Sequence, residues 1–202
     1  VDCLDRTRIK KCVQIGSSDD YGGAIAPQSE SQREAPISLY SCSKVLSTVF
    51  LQTLYKTENF PVVIFRLFLV YGSGQNTNRF IPKIIKGCLN NDKFPVSYGG
   101  QLRDFCYIDD VVNGIIKSFS CADLNGEVVN LASGNPVSIH SVIEMVRNNI
   151  GLGSPLYGGV PYRKGENMKL FADITKVNRL LDWKPLVSLK DGIQKTINYY
   201  ND

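Results

Sequence analysis

Tyr40 and Lys44 stand four residues apart in Tyr40-Ser41-Cys42-Ser43-Lys44, and Ser17 lies upstream of them. On a helix that spacing puts the phenol and the ammonium on one face, a turn apart. A phenol ionises only near pH ~10 and is a poor acid and a poor base at neutrality. An ammonium held beside it favours the phenolate. A serine hydroxyl can share the oxygen that gains or loses the proton. The three groups could therefore move a proton on and off a carbonyl/alcohol pair. The bland alternative is a half-buried tyrosine and a solvated lysine on an ordinary helix. The order of elements around them weighs for chemistry.

Those elements follow from apolar runs and turn residues. Residues 1–11 read as the end of a helix. Cys12-Val13-Gln14-Ile15 reads as a short strand running into Gly16-Ser17-Ser18-Asp19-Asp20-Tyr21-Gly22-Gly23. A strand that opens into small polar residues is where open α/β sheets place their chemistry; the same residues also make plain turns. Residues 24–37 read as a loop, and Ser38 as the punctuation before a helix over 39–56 with Val45, Val49, Phe50 and Leu54 as its apolar stripe. Val62-Val63-Ile64-Phe65-Arg66-Leu67-Phe68 has the continuous apolar character of a central parallel strand. Strand, helix and strand make a βαβ unit.

Further on, the pattern predicts a helix over 79–89, strands over 94–98 and 102–108, and a helix over 111–119 capped by Asp109-Asp110. It then predicts a strand over 128–132, a helix from Ser138 to Gly151 and an irregular loop over 151–166. A short helix capped by Asp173 follows, and a last helix opened by Ser188-Leu189-Lys190-Asp191. The fold class expected from these elements is α/β, with a compact α/β unit up to about residue 70 and a looser lobe after it.

Composition excludes several classes. The 202 residues are 43% hydrophobic and 21% charged, ordinary for a globular protein. The formal net charge is +4 and the basic residues are scattered, so nucleic-acid binding is not expected. No apolar run reaches membrane-spanning length, and the opening residues do not read as a signal peptide. Six cysteines with irregular spacing, Cys3, Cys12, Cys42, Cys88, Cys106 and Cys121, read as free thiols in a reducing, cytoplasmic setting. The single His140 cannot anchor a metal cluster by itself and reads as an exposed first-turn residue; no metal is expected.

In series, several segments resemble one family. Ser17 followed by Tyr21-Gly22, and then Tyr40-x-x-x-Lys44, are similar to the extended short-chain dehydrogenase/reductases. Within them they resemble the NAD(P)-dependent nucleotide-sugar epimerases, dehydratases and reductases. The likeness continues through 66–75 (Arg66-Leu67-Phe68-Leu69-Val70-Tyr71-Gly72), 99–110 (Gly99-Gly100-Gln101-Leu102-Arg103-Asp104), 130–134 and 172–185, and so covers nearly the whole chain in order. The resemblance implies the fold class as well: α/β, the C-terminal part of a Rossmann-type doubly wound parallel sheet plus a small α/β substrate-binding lobe. Residues 1–72, with returning segments near 102–132, would form the partial Rossmann-like domain that carries the catalytic residues, and residues 73–202 mainly the nucleotide-sugar-binding lobe. The resemblance implies that Tyr40 is the acid/base. It implies that Lys44 favours the phenolate and holds the nicotinamide ribose, that Ser17 hydrogen-bonds the reacting oxygen, and that Phe68 lies near the nicotinamide. Arg103 and Arg163 would grip the nucleotide diphosphate, as guanidinium forks do; a surface salt bridge is the structural alternative for each. Ser18, Asp19, Arg79 and Tyr98 would complete the substrate site, with Tyr98 on the base unless it is a core aromatic. Asn130 reads as structural.

Three departures qualify the resemblance. The Gly-x-x-Gly-x-x-Gly loop that cradles a dinucleotide pyrophosphate does not occur in the 202 residues. The chain therefore reads as the C-terminal two-thirds of such an enzyme, expected to bind NAD or NADP poorly alone. Leu69 stands where family members often have an asparagine that helps hold the sugar diphosphate. Ser18 and Asp19 stand where 4,6-dehydratases carry Asp-Glu, which favours a 4-epimerase or 4-keto reductase over a dehydratase. A non-catalytic nucleotide-sugar-binding or interaction module on the same fold is the alternative of another class. The family's usual dimer, a four-helix bundle using the helix that carries Tyr40, makes a homodimer a further expectation.

Overall fold

The computed structural model describes residues 5–201. Its first layer is a parallel sheet of β1 (Cys12–Ser17), β2 (Val62–Leu67) and β6 (Val128–Leu131), in the order β1-β2-β6. Val62, Val63, Ile64 and Phe65 of β2 are all buried, as a central strand covered on both faces requires. The register sets Ser17 beside Leu67 and Arg66 between Gly16 and Asn130, so the strands' C-terminal ends converge.

Helix α1 (Leu39–Glu58) connects β1 to β2. Ser38 Oγ accepts from Ser41 N at 3.1 Å, and Ser41 Oγ accepts from Ser38 N at 3.1 Å, which fixes where the helix begins. Tyr40 therefore falls in its first turn. Asn59 ends the helix in the left-handed region at φ 55°.

The apolar stripe expected on this helix is corrected. Its buried positions are Ser41, Thr48, Leu51 and Leu54, whereas Val49 and Phe50 face outward with Leu46. The helix has apolar residues on two sides, and small Ser41 and Thr48 sit on the face that meets the sheet. Leu51 and Leu54 pack there with Phe60, Val62 and Ile64. The opposite face of the sheet is covered by α3 (Ile108–Ser118) and α5 (Thr175–Leu181), around Phe65, Leu131, Val177 and Trp183. Helices on both faces of a parallel sheet make the doubly wound α/β class that the apolar patterning implied.

A second sheet is built on β5 (Leu102–Tyr107), which pairs with β3 (Leu69–Tyr71) and β9 (Lys169–Leu170) in parallel and with β7 (Pro136–Ser138) antiparallel. Against it pack α2 (Phe80–Leu89), α4 (Ile139–Ile150) and α6 (Leu189–Asn201), burying Ile81, Ile85, Val142, Ile143 and Ile193. Strand β4 (Lys93–Val96) pairs in parallel with β8 (Ser154–Tyr157).

Other expectations shift. Of residues 1–11, 1–4 lie outside the described residues, and the rest hold only one 3-10 turn, Arg6–Arg8. The loop expected over 151–166 contains β8, a strand that exists through its distant partner β4 rather than through local propensity. Asp109 and Asp110 lie inside the first turn of α3 instead of capping it. The Asp110 carboxylate accepts from Leu186 N and Val187 N, both at 3.0 Å, and so holds a distant segment. Asp173 Oδ1 accepts from Thr175 N at 2.8 Å and Ser188 Oγ from Asp191 N at 3.1 Å, at the starts of α5 and α6. Cys12, Cys42, Cys88, Cys106 and Cys121 are free thiols, and Cys3 lies outside the described residues. Among the described residues no helix is long and apolar enough to cross a membrane.

Candidate functional site

Ser17 is the last residue of β1, and its Oγ accepts from Asp19 N at 3.1 Å, turning the chain into a 3-10 turn over Ser18–Tyr21. That turn buries Ser18 and Asp20 and leaves Asp19 exposed. Tyr40, 54% exposed, stands in the first turn of α1, which packs against β1 and this turn. The Lys44 ammonium lies 5.6 Å from the centroid of the Tyr40 ring and donates to the Ile15 carbonyl at 3.1 Å, two residues before Ser17. Lysine thus ties the helix that carries the phenol to the strand that carries the hydroxyl.

Beneath this surface lies a buried ionic cluster that the spacing of residues did not reveal. Arg66 is fully buried; its Nε donates to Asp20 Oδ2 at 3.2 Å and its Nη2 to Glu34. Its guanidinium carbon sits 4.6 Å from the Tyr21 ring centroid. Tyr21 in turn donates to Asn130 Oδ1 at 2.7 Å. Asn130 Nδ2 donates to the carbonyls of Gln28 and Asp173, so Asn130 is structural. Burial pushes the Asp20 carboxyl up to about 6, against the pull of the Arg66 charge and hydrogen bond. Burial likewise pushes Tyr21 up to about 12. Burial works to raise Glu34 as well, but the Arg66 hydrogen bond, the residue's own N–H and the Arg66 and Arg33 charges hold it below the usual carboxylate value. Asp20 anchors the turn that carries Ser17, and Glu34 the segment that leads into Tyr40.

The second group of expected residues gathers around β5. Arg103 is buried; its Nη1 donates to the Leu102 carbonyl at 2.8 Å and its Nη2 pairs with Glu166. Burial pulls this guanidinium below its ordinary value, Glu166 and Asp19 oppose that, and Arg163 reinforces it. The Arg103 guanidinium thus feels the charges of Asp19 and Arg163 as well as that of Glu166. Tyr98 is 70% exposed and lies outside any strand, so it is not a core aromatic. Its ring packs on Gly158, where a side chain would collide with it. Tyr162 Oη accepts from Gly100 N at 3.1 Å, and Asn167 Nδ2 donates to the Gly22 carbonyl at 2.7 Å, so the 158–168 segment is tied both to the turn before β5 and to the turn after Ser17.

Three expected residues stand apart. Phe68 is buried with Tyr21, Ala132 and Leu170 at the end of β2, its ring centroid 6.3 Å from that of Tyr21. Ser18 is buried, and Arg79 is exposed at the start of α2. Residues missed by sequence reasoning are Asp20, Glu34 and Glu166, whose partners lie 46, 32 and 63 positions away.

Residues 1–132 match the model of the NAD dependent epimerase/dehydratase family, and the chain belongs to that family. It is similar to a UDP-glucuronate 4-epimerase of Thermodesulfobacterium geofontis, 30% identical over 194 residues, covering 95% of this chain and 59% of the relative. It is similar to a human dTDP-D-glucose 4,6-dehydratase, 28% identical over 211 residues, covering 100% of this chain and 59% of the relative. Among solved structures, a UDP-glucuronic acid 4-epimerase from Bacillus cereus, in complex with UDP-glucuronic acid and NAD, superposes with a TM-score of 0.88 at 30% identity. That likeness covers 95% of this chain and 61% of the other. The chain thus spans about three fifths of the length of these relatives.

Proposed function

We propose that this chain carries the proton-transfer and substrate-binding groups of a nucleotide-sugar 4-epimerase or 4-keto reductase. The observation that carries the reading is the Lys44 bridge, which holds an ammonium between the half-exposed Tyr40 phenol and the carbonyl two residues before Ser17. A 4-epimerase needs a group that takes a proton from the sugar C4 hydroxyl and returns it, and a 4-keto reductase needs one that gives a proton to the C4 carbonyl oxygen. Tyr40 is that group, Lys44 holds its ammonium beside the ring, and Ser17 Oγ orients the sugar oxygen. Arg103 and Arg163 hold the diphosphate, Tyr98 offers an exposed ring to the base, and Arg79 lies at the rim.

The donor set suits the ribose end of a nicotinamide dinucleotide: a phenol hydroxyl and an ammonium with three N–H donors, one of them spent on Ile15. NAD or NADP, when bound, supplies the hydride acceptor and donor; Tyr40 and Lys44 would hold its ribose, with Phe68 behind the site. The matching relatives support UDP or dTDP as the nucleotide. Asp19 alone beside Ser17, with Ser18 buried, favours epimerase or reductase over the dehydratase alternative, for which two carboxylates would serve as acid and base. A second copy of the chain is the proposed partner of the outward stripe Leu46, Val49 and Phe50 on α1.

Calorimetric titration of the folded chain with UDP, dTDP, GDP and CDP, and separately with NADH, tests the reading. Binding of one nucleoside diphosphate is the expected result. A folded chain that binds none of the four refutes it.

A further inference from the structure

We propose that Asn167 is a positioning residue whose amide fixes where Ser17 stands relative to Arg103. The proposal rests on the reading of Ser17 as the contact to the sugar C4 oxygen and of Arg103 as a contact to the diphosphate. Those two groups belong to different sheets: Ser17 ends β1, and Arg103 lies on β5. A sugar ring is rigid and separates the diphosphate at C1 from the reacting oxygen at C4. The hydroxyl therefore meets that oxygen only when the span between the two sheets is set to match, and an error of about 1 Å is enough to spoil the contact.

Asn167 bridges that span. Its Nδ2 donates at 2.7 Å to the carbonyl of Gly22, the residue that closes the 3-10 turn after Ser17. Its Oδ1 accepts from Lys169 N at 2.9 Å, at the start of β9. There the chain is already fastened: Leu102 N donates to the Met168 carbonyl at 2.8 Å, and Leu170 stands opposite Arg103 in the register of β5 and β9. One amide thus runs from the strand pair that holds Arg103 to the turn that begins at Ser17. Both ends dictate the residue type, because the Gly22 carbonyl is an acceptor and the Lys169 N–H a donor, and a side-chain amide supplies one of each. The turn has no room to yield on its other side. Gly22 sits at φ +54°, and a side chain on it would meet the Ala35 carbonyl at 2.0 Å, so the turn is pressed against the segment that leads into α1. Gln28, fully buried, fastens the next stretch of the loop to β9 independently: its Nε2 donates to the Lys169 carbonyl at 3.0 Å and its Oε1 accepts from Phe171 N at 2.9 Å. Loss of the Asn167 amide therefore frees the turn and leaves the two sheets joined.

The test is calorimetry of UDP and UDP-glucose, and of dTDP and dTDP-glucose, with the wild type, Asn167→Ala, Asn167→Ser, Ser17→Ala and the Ser17→Ala/Asn167→Ala double variant, each checked for folding by circular dichroism. Serine can still accept from Lys169 N but is too short to reach Gly22. Both Asn167 variants are expected to bind the sugar nucleotide roughly tenfold more weakly than the wild type and the sugar-free diphosphate unchanged. Ser17→Ala is expected to show the same selective loss, and the double variant no further loss, since Asn167 acts through Ser17. Sugar-nucleotide affinity unchanged in both Asn167 variants overturns the proposal. So do equal weakening of diphosphate and sugar nucleotide, losses that add in the double variant, or unfolding of both Asn167 variants. A Ser17→Ala protein that binds the sugar nucleotide like the wild type overturns the sugar contact at Ser17, and the positioning role with it. No binding of any of the four ligands by the folded wild type overturns the nucleotide-sugar reading itself, and the proposal with it.

Discussion

Asp20→Asn isolates the most unusual charge in the fold. Asp20 is fully buried, bonded through Oδ2 to Arg66 at 3.2 Å, while its Oδ1 has no hydrogen-bond partner. Burial lifts its carboxyl from 3.8 to about 6. The folded chain therefore holds this proton more tightly than the unfolded chain does. The stabilisation is fully present below pH 3.8 and is lost as the pH rises through about 6. At about 1.4 kcal/mol per tenfold change in proton affinity, the whole effect is about 3 kcal/mol, of which about 2 kcal/mol falls between pH ~4.5 and ~7.5. Glu34 acts in the opposite sense, since its lowered value stabilises the fold once ionised, and it is present in both proteins, as is every other titrating group. Asparagine keeps an acceptor for Arg66 and never ionises. Urea unfolding of wild type and variant at half-unit pH steps measures the difference directly. The variant is expected to gain about 2 kcal/mol on the wild type from pH ~4.5 to ~7.5. Parallel curves, or a variant that loses ground as the pH rises, would show instead that the Arg66 attraction matches or outweighs burial.

Three other perturbations have definite expected outcomes. Gly126→Ala places a methyl 2.0 Å from the Tyr55 ring at a residue with φ +79°, and should lower stability by at least ~2 kcal/mol in chemical denaturation; an unchanged midpoint would contradict the close approach. Trp183→Phe removes the indole N–H that donates to the Asp110 carbonyl at 3.1 Å in the core, at an expected cost of ~1–3 kcal/mol by thermal melt, and no loss would mean that the carbonyl finds another donor. Phe50→Glu puts a charge on the outward stripe of α1; if two copies pair there, sedimentation at tens of micromolar should shift from dimer to monomer, and a wild type that is monomeric at that concentration removes the dimer.

What could be read from the amino-acid order was what is local. Tyr40 and Lys44 are linked by helical spacing, Ser38 caps that helix within three residues, and the run Val62–Phe65 announces a covered strand by itself. The groups that hold this site are linked across the fold: Asp20 to Arg66, Arg66 to Glu34, Arg103 to Glu166. No periodicity joins partners that are dozens of positions apart. The face of α1 was misjudged for a related reason, because an apolar stripe does not say whether it meets the sheet or points outward. The stretch Ser17-Ser18-Asp19-Asp20 shows the limit most sharply. Two adjacent carboxylates look equivalent on paper, yet the 3-10 turn sends one to the surface beside the catalytic candidates and the other into the interior against Arg66. Sequence reasoning marked Asp19, the one a substrate could touch. Asp20 became visible only with its partner, and it is Asp20, with Glu34, that ties the turn under Ser17 and the approach to Tyr40 to the same arginine.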